Sequence, residues 1–102
     1  MKRTRVALIG CGRVARVHAE ALTTLDEVEL VAVVDIKPDR AEDFSQRYGA
    51  QAYDDYKAVL GLPDVDAVEI ATPHNTHAGI AIDALKAGKD VLTEKPMAIT
   101  VP

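Results

Sequence analysis

A glycine-rich loop near the start of the chain is the first group of residues that could do chemistry. Residues 10–15 read Gly-Cys-Gly-Arg-Val-Ala, a G-x-G-x-x-A pattern between an apolar run and an amphipathic stretch. In a strand–loop–helix unit the first glycine permits a tight turn, the second lets the backbone approach a pyrophosphate, and the alanine keeps the helix close to the sheet. The free N–H groups of the helix then face the phosphates. An isolated match of this pattern is more often a simple turn. Its position directly after a predicted strand and at the start of a predicted helix is what favours a phosphate-binding loop.

An acid follows this loop at a distance that suits the ribose of a dinucleotide. Asp35 ends the second apolar run, near the spacing of about 20 residues at which such an acid reaches the adenosine ribose. Its carboxylate would accept hydrogen bonds from both ribose hydroxyls and would repel a 2′-phosphate, so NAD is preferred over NADP. Lys37 could partly offset that repulsion, which keeps NADP use open. The alternative is that Asp35 is a turn residue before Pro38.

The remaining reactive side chains give weaker signals. Cys11 and Arg13 place a thiol beside a cation, but both occupy variable positions of the loop, where the backbone is the functional part. His74 and His77 are close in sequence, yet a zinc site needs a further protein ligand and none is spaced to join them. We therefore expect no metal site. His77 is expected to orient the start of the fourth helix, and His18 to pack or hydrogen-bond within the first.

Short apolar runs alternate with longer amphipathic stretches, as expected for repeated strand and helix units. Strands are predicted over residues 6–9, 30–34, 50–53, 67–71 and 91–93. Helices are predicted over residues 13–25, 38–48, 55–60 and 75–87. Their ends carry matching signals, because Pro38 suits a first helical turn, Asp54 or Asp55 suits a helix cap, and Gly49 and Gly88 suit left-handed helix ends.

This order of elements predicts a single α/β domain over residues 1–102. Right-handed crossovers favour a doubly wound Rossmann fold whose parallel sheet has the strand order 3-2-1-4-5. A ligand crevice would then lie at the carboxyl ends of the first and fourth strands.

The composition argues against several classes of partner. The chain has 102 residues, 48% of them hydrophobic and 27% charged, which suits one compact domain. A formal net charge of −4 and a pI of about 5.2 would not neutralise a nucleic-acid backbone or an anionic membrane surface. No segment approaches the roughly 18 consecutive apolar residues of a membrane helix, and the single cysteine fits a reducing compartment. We expect a cytoplasmic protein that binds neither nucleic acid nor membrane.

Two stretches in the second half are more specific than the glycine loop. Residues 66–73 read Asp-Ala-Val-Glu-Ile-Ala-Thr-Pro and are followed by His77, and residues 87–96 read Ala-Gly-Lys-Asp-Val-Leu-Thr-Glu-Lys-Pro. Together with the early loop and His18, they closely resemble the N-terminal domain of the glucose–fructose oxidoreductase and inositol dehydrogenase family, Gfo/Idh/MocA. The resemblance runs from Arg5 to Pro96.

The resemblance implies a role for each matching residue. The cofactor-binding positions would be Gly10, Gly12, Arg13 and Val14 for the pyrophosphate, Asp35 for the adenosine ribose, and Thr72 and Pro73 beyond the fourth strand. The turn formed by Glu94, Lys95 and Pro96 would sit beside the nicotinamide. There Lys95 would be the catalytic residue that hydrogen-bonds the reacting hydroxyl or carbonyl, while Glu94 helps to place the ring. From composition alone, Lys95 would be a solvated surface lysine.

Two features depart from this pattern. Glu69 lies within a strand that should be central, where an unpaired charge is costly, so either it reaches a polar crevice or the strand placement is off by one residue. The sequence stops at Pro102, before the family's next helix, last strand and substrate domain, which carries an aspartate and a histidine of the catalytic group. We therefore expect the chain alone to bind cofactor without turnover, and to form a homo-oligomer through the exposed edge of the fifth strand.

The leading hypothesis is the nucleotide-binding part of an NAD(P)-dependent oxidoreductase that acts on a sugar- or cyclitol-like hydroxyl compound. A rival from another class is a stand-alone or truncated nucleotide-binding or assembly module without catalysis. A methyltransferase-like domain also has a glycine loop and an acid after its second strand, but the Glu94-Lys95-Pro96 turn argues against it.

Overall fold

Strands and helices alternate along the part of the chain that the structure, a computed structural model, describes. That part is residues 3–72 and 74–92, with the backbone alone for residues 13, 14 and 74–77. The elements are β1 (Thr4–Ile9), α1 (Arg13–Thr23), β2 (Val28–Val34), α2 (Pro38–Tyr48), β3 (Gln51–Tyr53), α3 (Tyr56–Leu60), β4 (Ala67–Ile70), α4 (His74–Lys86) and β5 (Asp90–Leu92).

The strands of the described part form one parallel sheet in the order β3-β2-β1-β4-β5, which confirms the predicted topology. The central strand is β1, and its last residue Ile9 pairs with Val34 of β2 on one side and Ile70 of β4 on the other. The carboxyl ends of these three strands are therefore level. The loops that follow them lie side by side at one edge of the sheet.

The core has two halves because helices cover both faces of the sheet, and buried parallel strands are accordingly apolar on both sides. Beneath α1 and α2 the core contains Val6, Leu8, Ala15, Ala19, Leu22, Leu30, Val33 and Phe44. Beneath α3 and α4 it contains Ala7, Ile9, Ala32, Val34, Val59, Val68, Ile70, Ile80 and Ala84. The apolar runs of β1 and β2 supply both halves.

The helix ends follow the sequence signals, with one exception. Helix α2 ends at Gly49, whose φ of 73° is left-handed, and the Asp55 carboxylate caps α3 by accepting the Lys57 N–H at 2.9 Å. Helix α1 was expected to reach residue 25 but ends at Thr23. The hydroxyls of Thr23 and Thr24 donate to carbonyls of the preceding turn, a local bond that competes with continuation of the helix.

Strand β2 contains a β-bulge at Val31. Leu30 and Ala32 pair with successive residues of β1, so Val31 is an extra residue between them. A one-residue shift exchanges the two faces of a strand. The bulge therefore sets the face on which Val34, and the acid that follows it, lie.

A buried acid–base pair joins α1 to β4. Nδ1 of His18 hydrogen-bonds Oε2 of Glu69, and the two side chains are 6% and 11% exposed. Glu69 is paired in register with Leu8 and Leu92 on its two neighbouring strands, both of which pack in the core half beneath α1. His18 is three residues beyond the buried Ala15, on the stripe of α1 that faces the sheet.

This pair corrects two expectations. Glu69 neither reaches a polar crevice nor signals a misplaced strand, because the strand lies at Ala67–Ile70 and the carboxylate bonds to the helix above it. His18 packs against the sheet and also bonds beyond its own helix, to Glu69 of β4. The reason is that helical periodicity turns it toward β4, where the carboxylate needs a partner.

Removing either member of the pair should destabilise the domain much more than removing both. His18→Leu and Glu69→Val should each lower the free energy of unfolding by roughly 3–5 kcal/mol, because each leaves a buried polar partner behind. The double variant should lose far less than the sum, since apolar side chains can replace a buried pair. Urea unfolding followed by circular dichroism measures all three losses. Additive losses would show that the two side chains are not energetically coupled.

Candidate functional site

The turn after β1 passes directly against the end of β4. Gly10 has a φ of +104°, and a Cβ added there would lie 2.9 Å from the carbonyl carbon and oxygen of Ala71 and 3.1 Å from the amide nitrogen of Thr72. The turn is held by the Gly10 N–H, which donates to the carbonyl of Val34 at 2.7 Å, and the Ala71 N–H, which donates to the carbonyl of Ile9 at 2.8 Å. The glycine loop thus lies where the carboxyl ends of β1, β2 and β4 meet.

The glycine loop packs tightly against the backbone after β4 at Gly10, whereas a side chain at Gly12 would have space. Gly12 is the N-cap of α1, with an extended backbone at φ −90° and ψ −163°. A Cβ added at Gly12 would have one described neighbour within 4 Å, Nη1 of Arg40 at 3.9 Å. Because glycine offers no side-chain cap, the first N–H groups of α1, which starts with Arg13 and Val14, are available to an outside acceptor.

Asp35 lies beside this loop, at the end of β2. Its Oδ2 accepts the Cys11 N–H at 2.9 Å and its Oδ1 accepts the Lys37 N–H at 2.8 Å. The Asp35 N–H donates to the carbonyl of Tyr53 at 3.2 Å, which fixes the residue to β3. A carboxylate has about four acceptor positions, so both oxygens can accept further hydrogen bonds. The structure therefore brings the acid and the loop together, as the sequence predicts.

The thiol of Cys11 is not a reactive group. The side chain is 3% exposed, and its Sγ donates to the carbonyl of Val34 at 3.4 Å. Burial, together with the Asp35 carboxylate, raises the pKa of the Cys11 thiol to about 12. The thiol stays protonated at neutral pH, and only the thiolate is a strong nucleophile. At this position the backbone N–H, bonded to Asp35, is the group that faces the site.

Of the predicted site residues that follow β4, the structure describes Thr72. Thr72 follows β4 and lies half-buried, with its amide nitrogen near Gly10. Pro73 and the turn of Glu94, Lys95 and Pro96 lie outside the described residues.

His74 and His77 belong to α4, where only their backbone is described. Among the side chains that the structure describes, no three metal-ligating residues are grouped. None of the described helices combines the length and apolar character needed to cross a membrane.

Three features together define a dinucleotide-binding Rossmann domain. They are the sheet order, the glycine loop packed against the end of β4, and Asp35 at the end of β2. A family model described as "Oxidoreductase family, NAD-binding Rossmann fold", GFO_IDH_MocA, matches residues 4–102. The chain belongs to this Gfo/Idh/MocA family, which confirms the resemblance and decides against a methyltransferase-like domain.

Several relatives are similar over almost the whole chain. The myo-inositol 2-dehydrogenase of Thermotoga maritima is 36% identical over 98 residues, which is 95% of this chain and 29% of that protein. The D-glucoside 3-dehydrogenase of Escherichia coli is 41% identical over 98 residues, 94% of this chain and 28% of that protein. A 3-ketoreductase from Actinomadura kijaniata, crystallised with NADP and TDP-benzene, superimposes with a TM-score of 0.88 at 38% identity, over 94% of this chain and 30% of that one. The chain thus spans less than a third of these relatives.

Gly10→Ala should lower the free energy of unfolding more than Gly88→Ala, because Gly88 also has a positive φ but has free space around it. Gly88 has a φ of +82° with no atom within 4 Å of an added Cβ, so Gly88→Ala should lose roughly 1–2 kcal/mol from the left-handed backbone alone. Gly10→Ala carries at least that strain, at a φ of +104°, and adds contact with the backbone of Ala71. Chemical denaturation of the two variants measures the difference. Equal losses would mean that the approach of the loop to β4 is not a tight constraint.

Proposed function

We propose that residues 1–102 form the dinucleotide-binding domain of an oxidoreductase that transfers hydride between the nicotinamide of NAD(P) and a sugar- or cyclitol-like hydroxyl compound. The observation that carries this proposal is the geometry around Gly10, which joins the glycine loop to the end of β4 and leaves Asp35 at the loop's other side. The names of the relatives, an inositol dehydrogenase and a glucoside dehydrogenase among them, support the substrate class.

The described residues fit the adenosine half of such a cofactor. The closed turn at Gly10 and the open backbone at Gly12 leave room for a pyrophosphate against the start of α1. In this proposal the cofactor-binding residues are Gly10, Gly12, Arg13 and Val14 for the pyrophosphate, Asp35 for the ribose hydroxyls, and Thr72 and Pro73 for the part beyond β4. When bound, the nicotinamide supplies the hydride acceptor or donor.

The proton chemistry is assigned to Lys95. When hydride leaves a carbinol carbon, the oxygen on that carbon must lose its proton, and a positioned lysine can bond that oxygen and take the proton. Glu94 and Pro96 flank Lys95 in the sequence, and we assign Glu94 to placing the nicotinamide. A cytoplasmic location and self-association through the edge of β5 stay predictions.

We expect NADH to bind more tightly than NADPH. The Asp35 carboxylate would face the 2′-phosphate, and the repulsion should cost roughly 1–3 kcal/mol. Asp35→Ser should reduce the difference between the NADH and NADPH affinities. Asp26→Ser, which removes an exposed acid outside the site, should leave that difference unchanged. Dissociation constants from cofactor fluorescence give both values. Equal affinities for the two cofactors in the unmodified chain would contradict the assignment of Asp35 to the ribose.

We expect the 102 residues alone to bind NAD without measurable oxidation of glucose or inositol. The chain spans less than a third of its relatives, and loss of the groups that align substrate with the nicotinamide removes much of a rate enhancement. Absorbance at the NADH band, at saturating NAD, is the assay, with NADH binding to the same preparation as the control for a folded site. Turnover that disappears in Lys95→Ala would overturn this expectation.

A further inference from the structure

The bond between His18 and Glu69 joins the helix that starts at the glycine loop to the strand that ends beside that loop. Helix α1 begins directly after Gly12, and His18 lies in its second turn. Glu69 is the last but one residue of β4, two positions before Ala71, against whose backbone Gly10 packs. The buried pair is thus a second connection between the same parts of the chain that meet at the Gly10 turn.

The other described side chains of α1 that lie in the core are apolar and mostly small. Ala15, Ala19 and Leu22 are buried in the core half beneath that helix. Apolar contacts are non-directional, so they hold the helix against the sheet but tolerate a shift along its axis. A hydrogen bond weakens steeply when its distance or angle changes. The bond of His18 to Glu69 therefore sets where along its axis α1 lies on β4.

A buried polar pair is a poor source of stability. Well-packed apolar residues of similar volume often stabilise a core as much or more, and the best-attested use of a buried polar group is to fix the register between elements. The rest of β4 consists of buried apolar residues, Ala67, Val68 and Ile70. A role in setting the register of α1 accounts for Glu69 in this strand better than stability does.

The position of α1 matters for the cofactor because the first N–H groups of a helix have no acceptor within the helix. Gly12, the N-cap of α1, supplies no side-chain acceptor either. Hydrogen bonds from N–H groups to phosphate oxygens are about 2.7–2.9 Å long, so a shift of the helix by about 1 Å would stretch or break them. The register of α1 on β4 therefore decides whether these donors reach a pyrophosphate.

We propose that His18 and Glu69 are positioning residues for the cofactor, whose bond holds the phosphate-binding end of α1 in place over β4. This inference rests on the proposed function, because the site that the pair positions is the pyrophosphate site. Both side chains are buried between α1 and the sheet, so their effect on binding passes through the backbone of α1 and the loop before it.

The test compares NADH affinity with stability in variants of the full chain. In the double variant His18→Leu/Glu69→Val, apolar side chains replace the pair, so most of the stability should return while NADH binds about tenfold more weakly. The control is Leu60→Ala, which opens a cavity in the core half beneath α3 and α4 and should lower stability but change NADH affinity by less than about twofold. Dissociation constants are measured by cofactor fluorescence at a temperature at which every variant is folded.

Two further variants separate the length of the Glu69 side chain from its charge. Glu69→Gln keeps the length and can still bond to the His18 ring, so NADH affinity should stay within about twofold. Glu69→Asp keeps the charge but is one carbon shorter, so the bond is lost or displaces the helix, and NADH affinity should fall about fivefold. This comparison places no apolar side chain in the pair, and it decides the inference if the double variant does not fold.

Three results overturn the inference. The first is a double variant that binds NADH as tightly as the unmodified chain, which would make the pair a stabilising contact only. The second is a loss of affinity in Leu60→Ala as large as in the double variant, and the third is equal affinity in Glu69→Gln and Glu69→Asp. Each of these leaves the proposed function standing, whereas an unmodified chain that binds no NADH would overturn both.

Discussion

The close approach of the Gly10 turn to the end of β4 is the constraint on which the rest of the site depends. The atoms of Ala71 that an added Cβ would meet belong to the backbone, so neither side can give way as a flexible side chain would. The approach requires glycine, and it requires β1 and β4 to be neighbours in the sheet. The crossover topology that makes them neighbours is therefore part of the binding site and not only its support.

A second connection ties the end of β2 to the same loop. The carboxylate of Asp35 accepts the N–H of Cys11, and the buried thiol of that residue donates to Val34. The loop is thus held from both sides, by β4 at Gly10 and by β2 at Cys11. A site held in this way keeps its backbone donors in place before a ligand arrives, which reduces the ordering cost of binding.

The sequence predicted the helices and strands well because the signals that start and end them act on neighbouring residues. The residues that end α2 and cap α3, Gly49 and Asp55, act on their own helix ends. The bond between His18 and Glu69 joins positions 51 residues apart. The sequence pattern around one of them gives no information about the other. The bulge at Val31 likewise depends on the register with β1.

The most direct test of the account is a titration of the ¹⁵N-labelled chain with NAD, followed through its backbone amide resonances. The account predicts saturable shifts of Gly10, Cys11, Gly12 and Thr72, with the Cys11 amide responding as the Asp35 carboxylate takes up the ribose. Gly61, which follows α3, should stay in place. Saturation that leaves the loop amides unmoved, or shifts confined to another part of the chain, would contradict the account.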